Sequence, residues 1–279
     1  MKLALLQVTS TADPYANAHM LCQGVAEAAG EGATFVATPE VSNLITPSRT
    51  EQAEAIHSME SDPVLSALQE AAQRHDVEIL VGSLALRSDI DDPRYVNRSV
   101  MIGADGQIRA QYDKIHLFDV ELSAQERFEE SSAYQPGTKA CVARTRLGLL
   151  GMSVCYDLRF AALYRALAHS GAQILSVPAA FAMATGRAHW DVLLRARAIE
   201  TGCYVIAPAQ CGVHPSRCGR VRHSFGHSMI VNPWGEVVGQ AQDSPEIIYG
   251  EIDIDQVNAA RRRVPSLEHD RPFEVGSAP

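Results

Sequence analysis

Residues 147–170, LGLLGMSVCYDLRFAALYRALAHS, put one cysteine at a junction between two kinds of structure. Residues 147–154 form an apolar run of strand length that stops at Cys155. From Asp157 the apolar residues Leu158, Ala161, Ala162, Ala166 and Leu167 recur at helical spacing, with Arg159, Arg165 and His169 between them. A strand that turns at once into a helix lifts the corner residue out of the sheet and over free helix N–H groups. The positive end of a helix favours a thiolate, so Cys155 is expected to have a lowered pKa and to be nucleophilic near neutrality. Its position alone reads equally well as one more small buried residue.

The same alternation extends in both directions. Residues 3–8 read as a strand, 15–29 as a helix, and 33–38 as a second apolar strand that ends at Pro39-Glu40. A helix over 62–75 begins at Asp62-Pro63 and leads into a buried strand over 77–86. Residues 95–103 and 107–112 form a hairpin across Ala104-Asp105-Gly106, with Lys114 just beyond it. Residues 119–139 are charged and polar and read as a long loop. Beyond the Cys155 corner come a strand over 172–177, a helix over 189–201 and a strand over 203–209. Residues 224–232 and 236–241 read as a hairpin across Pro233-Trp234-Gly235, and 247–252 as a last strand. The tail over 263–279 is expected to be extended.

Hairpins interrupt the strand–helix alternation, which argues against a purely parallel sheet. Several strands are apolar on both faces and need cover on both sides. Two sheets face to face with helices outside, an α/β sandwich in one domain over residues 1–279, meets both requirements.

Composition narrows the function. At 46% hydrophobic and 20% charged, the 279 residues match an ordinary globular chain. A formal net charge of −9 argues against a general nucleic-acid binder. The opening MKLALLQV is too short an apolar run for a leader and reads as a buried strand; no stretch approaches a membrane span. Cys22, Cys141, Cys155, Cys203, Cys211 and Cys218 lack the spacing of a disulfide scaffold and are expected to be reduced thiols of a cytoplasmic protein. His214, Cys218, His223 and His227 match no tight zinc motif, so no metal is expected there.

Three polar residues stand where apolar strands end: Glu40, Lys114 and Cys155. Singly, each has a plain structural reading, as a capping acid, a solvated charge and a core thiol. Together they supply a base, a fixed cation and a nucleophile.

The segments TPE (residues 38–40), DKIHLFDV (113–120) and GMSVCYDLRF (151–160) resemble the three motifs of the nitrilase, or carbon–nitrogen hydrolase, superfamily. The likeness continues through PAAF (178–181), residues 186–212 and FGHSMIVNPWG (225–235), and so covers nearly the whole chain. It implies a four-layer αββα fold, a homodimer or higher homo-oligomer built through the outer helices, a small amide substrate and no cofactor. It also implies that Cys155 attacks the amide to form a thioester. Glu40 then serves as base, with a pKa raised toward neutrality by burial. Lys114 and the Tyr156 backbone N–H stabilise the oxyanion. A second glutamate in the preceding loop would hold the lysine; in FEES this is Glu130 rather than Glu129, since the acid stands before a Ser or Asn.

Tyr156, Arg159, Ala180, Phe181, Arg187 and His189 are implied at the substrate, and Arg159, Arg187 and Arg222 can pair with a substrate carboxylate. Residues 196–214, ARAIETGCYVIAPAQCGVH, resemble the deaminated glutathione branch of the superfamily more than the ω-amidase branch that acts on 2-oxoglutaramate. Amidohydrolysis of N-carbamoyl amines or amino acids is the remaining alternative. The basic insert over 215–222 departs from both branches. A non-catalytic binding protein on the same fold would be marked by loss of a catalytic residue, and all three are present.

Overall fold

A computed structural model of the protein describes residues 1–276 except 89, 91, 124, 125, 218 and 220. Cys218, part of the 215–222 insert and the last three residues of the tail therefore lie outside the described residues.

The first half contains β1 (Lys2–Gln7), α1 (Pro14–Gly30), β2 (Phe35–Ala37), α2 (Arg49–Ala55) and α3 (Pro63–His75), then β3 (Glu78–Arg87), β4 (Tyr95–Ile102) and β5 (Ile108–Asp113). A polar hairpin of β6 (Asp119–Ser123) and β7 (Glu126–Glu129) connects to the second half. There follow β8 (Cys141–Thr145), β9 (Gly148–Met152), α4 (Ala161–His169), β10 (Ile174–Ser176), α5 (Met183–Thr201) and β11 (Tyr204–Ala207). The chain continues through β12 (Cys211–His214), β13 (Arg222–Phe225), β14 (Met229–Val231), β15 (Val237–Gln240), β16 (Glu246–Glu251) and α6 (Ile254–Arg263).

Two six-stranded sheets result, in the orders β16-β1-β2-β3-β4-β5 and β15-β14-β11-β10-β9-β8. Each has a parallel trio at its centre, β1-β2-β3 and β9-β10-β11, flanked by antiparallel strands. The period-two geometry of a strand explains the continuous apolar runs. In β1, Leu3 and Leu5 face the second sheet, while Ala4 and Leu6 pack with Leu21 and Val25 of α1 and with Val64 and Leu68 of α3. Trp190 and Leu194 of α5 and Tyr164 and Leu167 of α4 cover the far side of the second sheet. The four layers αββα follow, as the sequence leads one to expect.

The differences have local causes. The corner at Cys155 opens into a 3₁₀ turn (Cys155–Arg159), and α4 starts only at Ala161, because Asp157 folds back to accept the Val154 N–H at 2.8 Å. Helix α5 begins six residues before the expected 189. Gly186 hid this start: a glycine weakens a helical pattern, but here a Cβ would lie 2.2 Å from the Phe225 ring, so only glycine fits. The expected strand over 224–232 divides between two sheets at Gly226 and His227, whose φ values of 76° and 57° turn the chain. The segment 119–139, expected as loop, contains the β6–β7 hairpin and a 3₁₀ turn (Glu130–Ser132); the alternation of Val120 and Leu122 with polar residues in β6 is short and set among charges.

Candidate active site

The C-terminal ends of β2, β9 and β10 open into one cavity of about 930 Å³. Glu40, Asn97, Lys114, Glu130, Cys155, Tyr156, Ala180 and Phe181 line it, with Arg222 and His223 from the β12–β13 hairpin. Strand ends in an α/β sheet leave backbone groups and following loops free, so a site collects there.

Cys155 sits at the corner with φ 52°, and its N–H donates to the Pro178 carbonyl at 2.9 Å. A left-handed backbone at a non-glycine residue costs on the order of 1–3 kcal/mol and persists only where surrounding contacts enforce it. Asp157, fully buried, supplies those contacts. Its carboxylate accepts from the Val154 N–H (2.8 Å), the Tyr112 hydroxyl (2.7 Å) and the His116 N–H (3.0 Å), and pairs with His116 Nδ1 at 2.7 Å. Corner and lysine segment are thereby tied to one carboxylate.

The turn carrying Glu40 is built just as tightly. Gly82 on β3 passes so close beneath it that a Cβ would lie 1.9 Å from the Thr38 carbonyl oxygen. Val41, at φ 46°, donates its N–H to Ser83 Oγ at 2.8 Å. Glu40 itself is 4% exposed. Its Oε1 accepts from Lys114 Nζ at 2.9 Å and Asn97 Nδ2 at 3.0 Å, and its Oε2 from the Ala180 N–H at 2.9 Å. Lys114, 2% exposed, also donates to both oxygens of Glu130 at 3.0 and 2.9 Å. The Phe118 N–H holds Glu130 Oε2 at 2.6 Å. Glu129 instead pairs with Arg127 at the surface.

The buried cluster reverses both expected pKa shifts, for a different reason in each case. Burial pushes the Cys155 thiol well above its ordinary value, the Glu40 carboxylate pushes it further, and Lys114 is too weak to compensate. Burial alone would raise Glu40, but Lys114 and the hydrogen bond from the thiol outweigh it and hold the carboxyl below its usual range. Lys114 stays well above its ordinary value, because Glu130 and Glu40 overcome its desolvation. The expected thiolate fails because no helix starts at the corner; a five-residue 3₁₀ turn has little dipole. The raised thiol and the lowered carboxyl leave a neutral Cys155 beside an ionised Glu40.

Arg159, Arg187 and His189, expected at the substrate, do not line the cavity. The Arg159 guanidinium lies 5.6 and 5.8 Å from the Tyr156 and Phe181 ring centroids, and its Nη1 is 3.2 Å from His189 Nδ1. Arg187 is solvent-exposed on α5. Asn97 and Asp157 escaped the sequence reading. Asn97 stands mid-strand in a β-pattern, and only Asp157's place two residues after the cysteine hinted at its role.

Both ring nitrogens of His214 are held within the chain: Nδ1 is 2.8 Å from the Ser10 carbonyl oxygen and Nε2 2.8 Å from Ser224 Oγ. Burial lowers its pKa from 6.5 to about 4. A depressed folded value makes the unfolded state the better proton acceptor, so stability is complete above pH 6.5 and is lost as pH falls toward 4. The fall from 6.5 to about 4 amounts to roughly 3 kcal/mol. Urea denaturation at pH 7 and pH 4 should therefore show a smaller acid penalty for His214→Gln than for the unaltered protein; equal penalties would refute this assignment.

Comparison with known proteins adds three facts. A protein-family model described as carbon-nitrogen hydrolase matches residues 2–262. The deaminated glutathione amidases of Yersinia enterocolitica and Homo sapiens are 38% and 39% identical to the chain, over 96% and 99% of it and 92% and 84% of their own lengths. The crystal structure of the Caenorhabditis elegans NitFhit protein superposes with a TM-score of 0.89 at 37% identity, covering 97% of this chain and 65% of that one.

Proposed function

The chain belongs to the carbon–nitrogen hydrolase family and is an amidase of the nitrilase superfamily, and we propose that it cleaves a small carboxylated amide, deaminated glutathione, through a thioester on Cys155. One observation carries the chemistry: Cys155 and Glu40 line the same buried cavity, where Glu40 is hydrogen-bonded to Lys114 and Lys114 to Glu130.

In the acylation step Sγ attacks the amide carbon while Glu40 takes the thiol proton. Coupling the two movements avoids a free thiolate, which burial and the Glu40 carboxylate disfavour. The oxyanion develops beside Lys114 Nζ, whose positive charge is undiluted by water in so buried a site. Glu40 returns the proton to the leaving amine as the carbon–nitrogen bond breaks. It then takes a proton from the water that attacks the thioester, and returns it to Sγ as the carbon–sulfur bond breaks and the carboxylic acid leaves. Glu130 keeps the ammonium in place.

The substrate rests on the named relatives and on the AQCG segment, whose Gln210 donates from Nε2 to the Glu40 carbonyl oxygen at 3.1 Å. Deaminated glutathione would yield 2-oxoglutarate and cysteinylglycine. Release of 2-oxoglutarate from it should exceed release from 2-oxoglutaramate at equal concentration by at least about tenfold in kcat/KM. Efficient turnover of 2-oxoglutaramate with deaminated glutathione untouched would overturn the substrate and leave the amidase chemistry standing. The exposed Val192 and Ile199 of α5 support a homodimer through the outer helices, and the five described cysteines, all free, suit a reducing cytoplasm.

A further inference from the structure

Arg222 is a cation of the cavity that no described carboxylate pairs with directly, although its charge helps to hold the Glu40 carboxyl low. It stands on β13 opposite His214 of β12, and the buried His214 ring, held by Ser10 and Ser224, anchors that hairpin against the first half of the chain. Among the described residues no carboxylate forms an ion pair with Arg222. Its one described hydrogen bond is long, from Nη2 to the Ala180 carbonyl at 3.4 Å. The other cations of the cavity are differently placed. Lys114 is saturated by Glu40 and Glu130, Arg127 is paired with Glu129, and Arg49 is solvent-exposed at the rim, where it donates to Ser132 Oγ at 2.6 Å.

Ala180 measures the reach. Its N–H donates to Glu40 Oε2 at 2.9 Å while its carbonyl faces Arg222 Nη2 at 3.4 Å. One residue separates the two contacts, so the guanidinium and the Glu40 carboxylate lie within roughly 10 Å of each other. In an acyl chain of five carbons the scissile carbon and the far carboxylate carbon are separated by four bonds, about 5 Å when extended. With a hydrogen bond's length of about 3 Å added at its carboxylate end, such a chain bound with its amide carbon at Cys155 is commensurate with that limit. A guanidinium offers the bidentate geometry that a carboxylate matches.

We propose that Arg222 binds the carboxylate of the acyl half of the substrate, and so selects monoamides of five-carbon dicarboxylic acids over neutral amides. This rests on the amidase reading above and deepens it. It also sets Arg222 apart from Arg159 and Arg187, which lie outside the cavity lining.

The test compares glutaramate with butyramide, which differ in the far carboxylate, by ammonia release from the unaltered protein, Arg222→Met and Arg222→Lys. The ratio of kcat/KM for glutaramate over butyramide should fall roughly 10- to 100-fold in Arg222→Met, as expected for loss of hydrogen bonds to a charged group. Arg222→Lys should restore part of it. An unchanged ratio overturns the proposal, as does a loss confined to deaminated glutathione relative to its analogue lacking the terminal glycine, which would place Arg222 at the leaving group. Calorimetry of glutarate binding removes any dependence on turnover. Cys155→Ala should bind it at least tenfold more tightly than Cys155→Ala/Arg222→Met, and equal affinities refute the site even if neither amide is cleaved. Failure of every amide to react, with glutarate binding still dependent on Arg222, would instead count against the amidase assignment alone.

Discussion

Cys155→Ala is expected to lower kcat on any amide substrate by at least about 10⁴-fold while leaving the thermal midpoint within a few degrees of the unaltered protein. The chemical loss is large because no other group can form the acyl intermediate: Glu40 is held by three hydrogen bonds and aimed at the thiol. The structural loss is small because the sulfur is neutral, and alanine keeps the same backbone requirement at φ 52°. Asp157, rather than the thiol, holds the corner. Single-turnover assays alongside thermal melts check both halves. Residual hydrolysis within tenfold of the unaltered rate would remove Cys155 from the nucleophile's role.

Lys114→Met should be the more damaging change, since it strips charge from a buried cluster. Two carboxylates would then share a site without the ammonium that pairs directly with both, and breaking such a pair costs about 3–5 kcal/mol. The Glu40 carboxyl, now held low chiefly against its desolvation by Lys114, should rise. The direction of the pH effect follows. In the unaltered protein Glu40 stays ionised through neutrality, and activity declines only in acid below the usual carboxylate range. In Lys114→Met the acid limb should move upward, with kcat reduced at least about 10³-fold by loss of the cation beside the oxyanion. The stability change is read from urea denaturation, and the limb from the residual rate against pH. An acid limb that stays in place would show that Lys114 does not set the ionisation of Glu40.

Much of the site could be read in order along the chain because each member ends a strand. Glu40 follows β2, Lys114 follows β5 and Cys155 lies beyond β9, and strand ends are visible as the points where apolar runs stop. The supporting residues were hidden for the converse reason. Asn97 lies inside β4, where its pattern is that of a strand, and its contact with Glu40 spans 57 residues. The N–H that orients Glu40 belongs to Ala180, 140 residues away, and no side-chain type announces a backbone donor.

The sequence by itself determined the layers and the cast of reacting groups. Apolar runs on both faces of a strand require cover on both sides, and that demand is local to each run. Which arginine faces the cavity, and which of thiol and carboxyl holds the proton, were decided only by the tertiary structure. Helix position on the chain suggested a thiolate at Cys155, yet ionisation follows the sum of burial and neighbouring charge. Those neighbours, Glu40, Lys114 and Glu130, are assembled from segments far apart in sequence. Electrostatics acts through space, so it becomes readable only once the chain has folded.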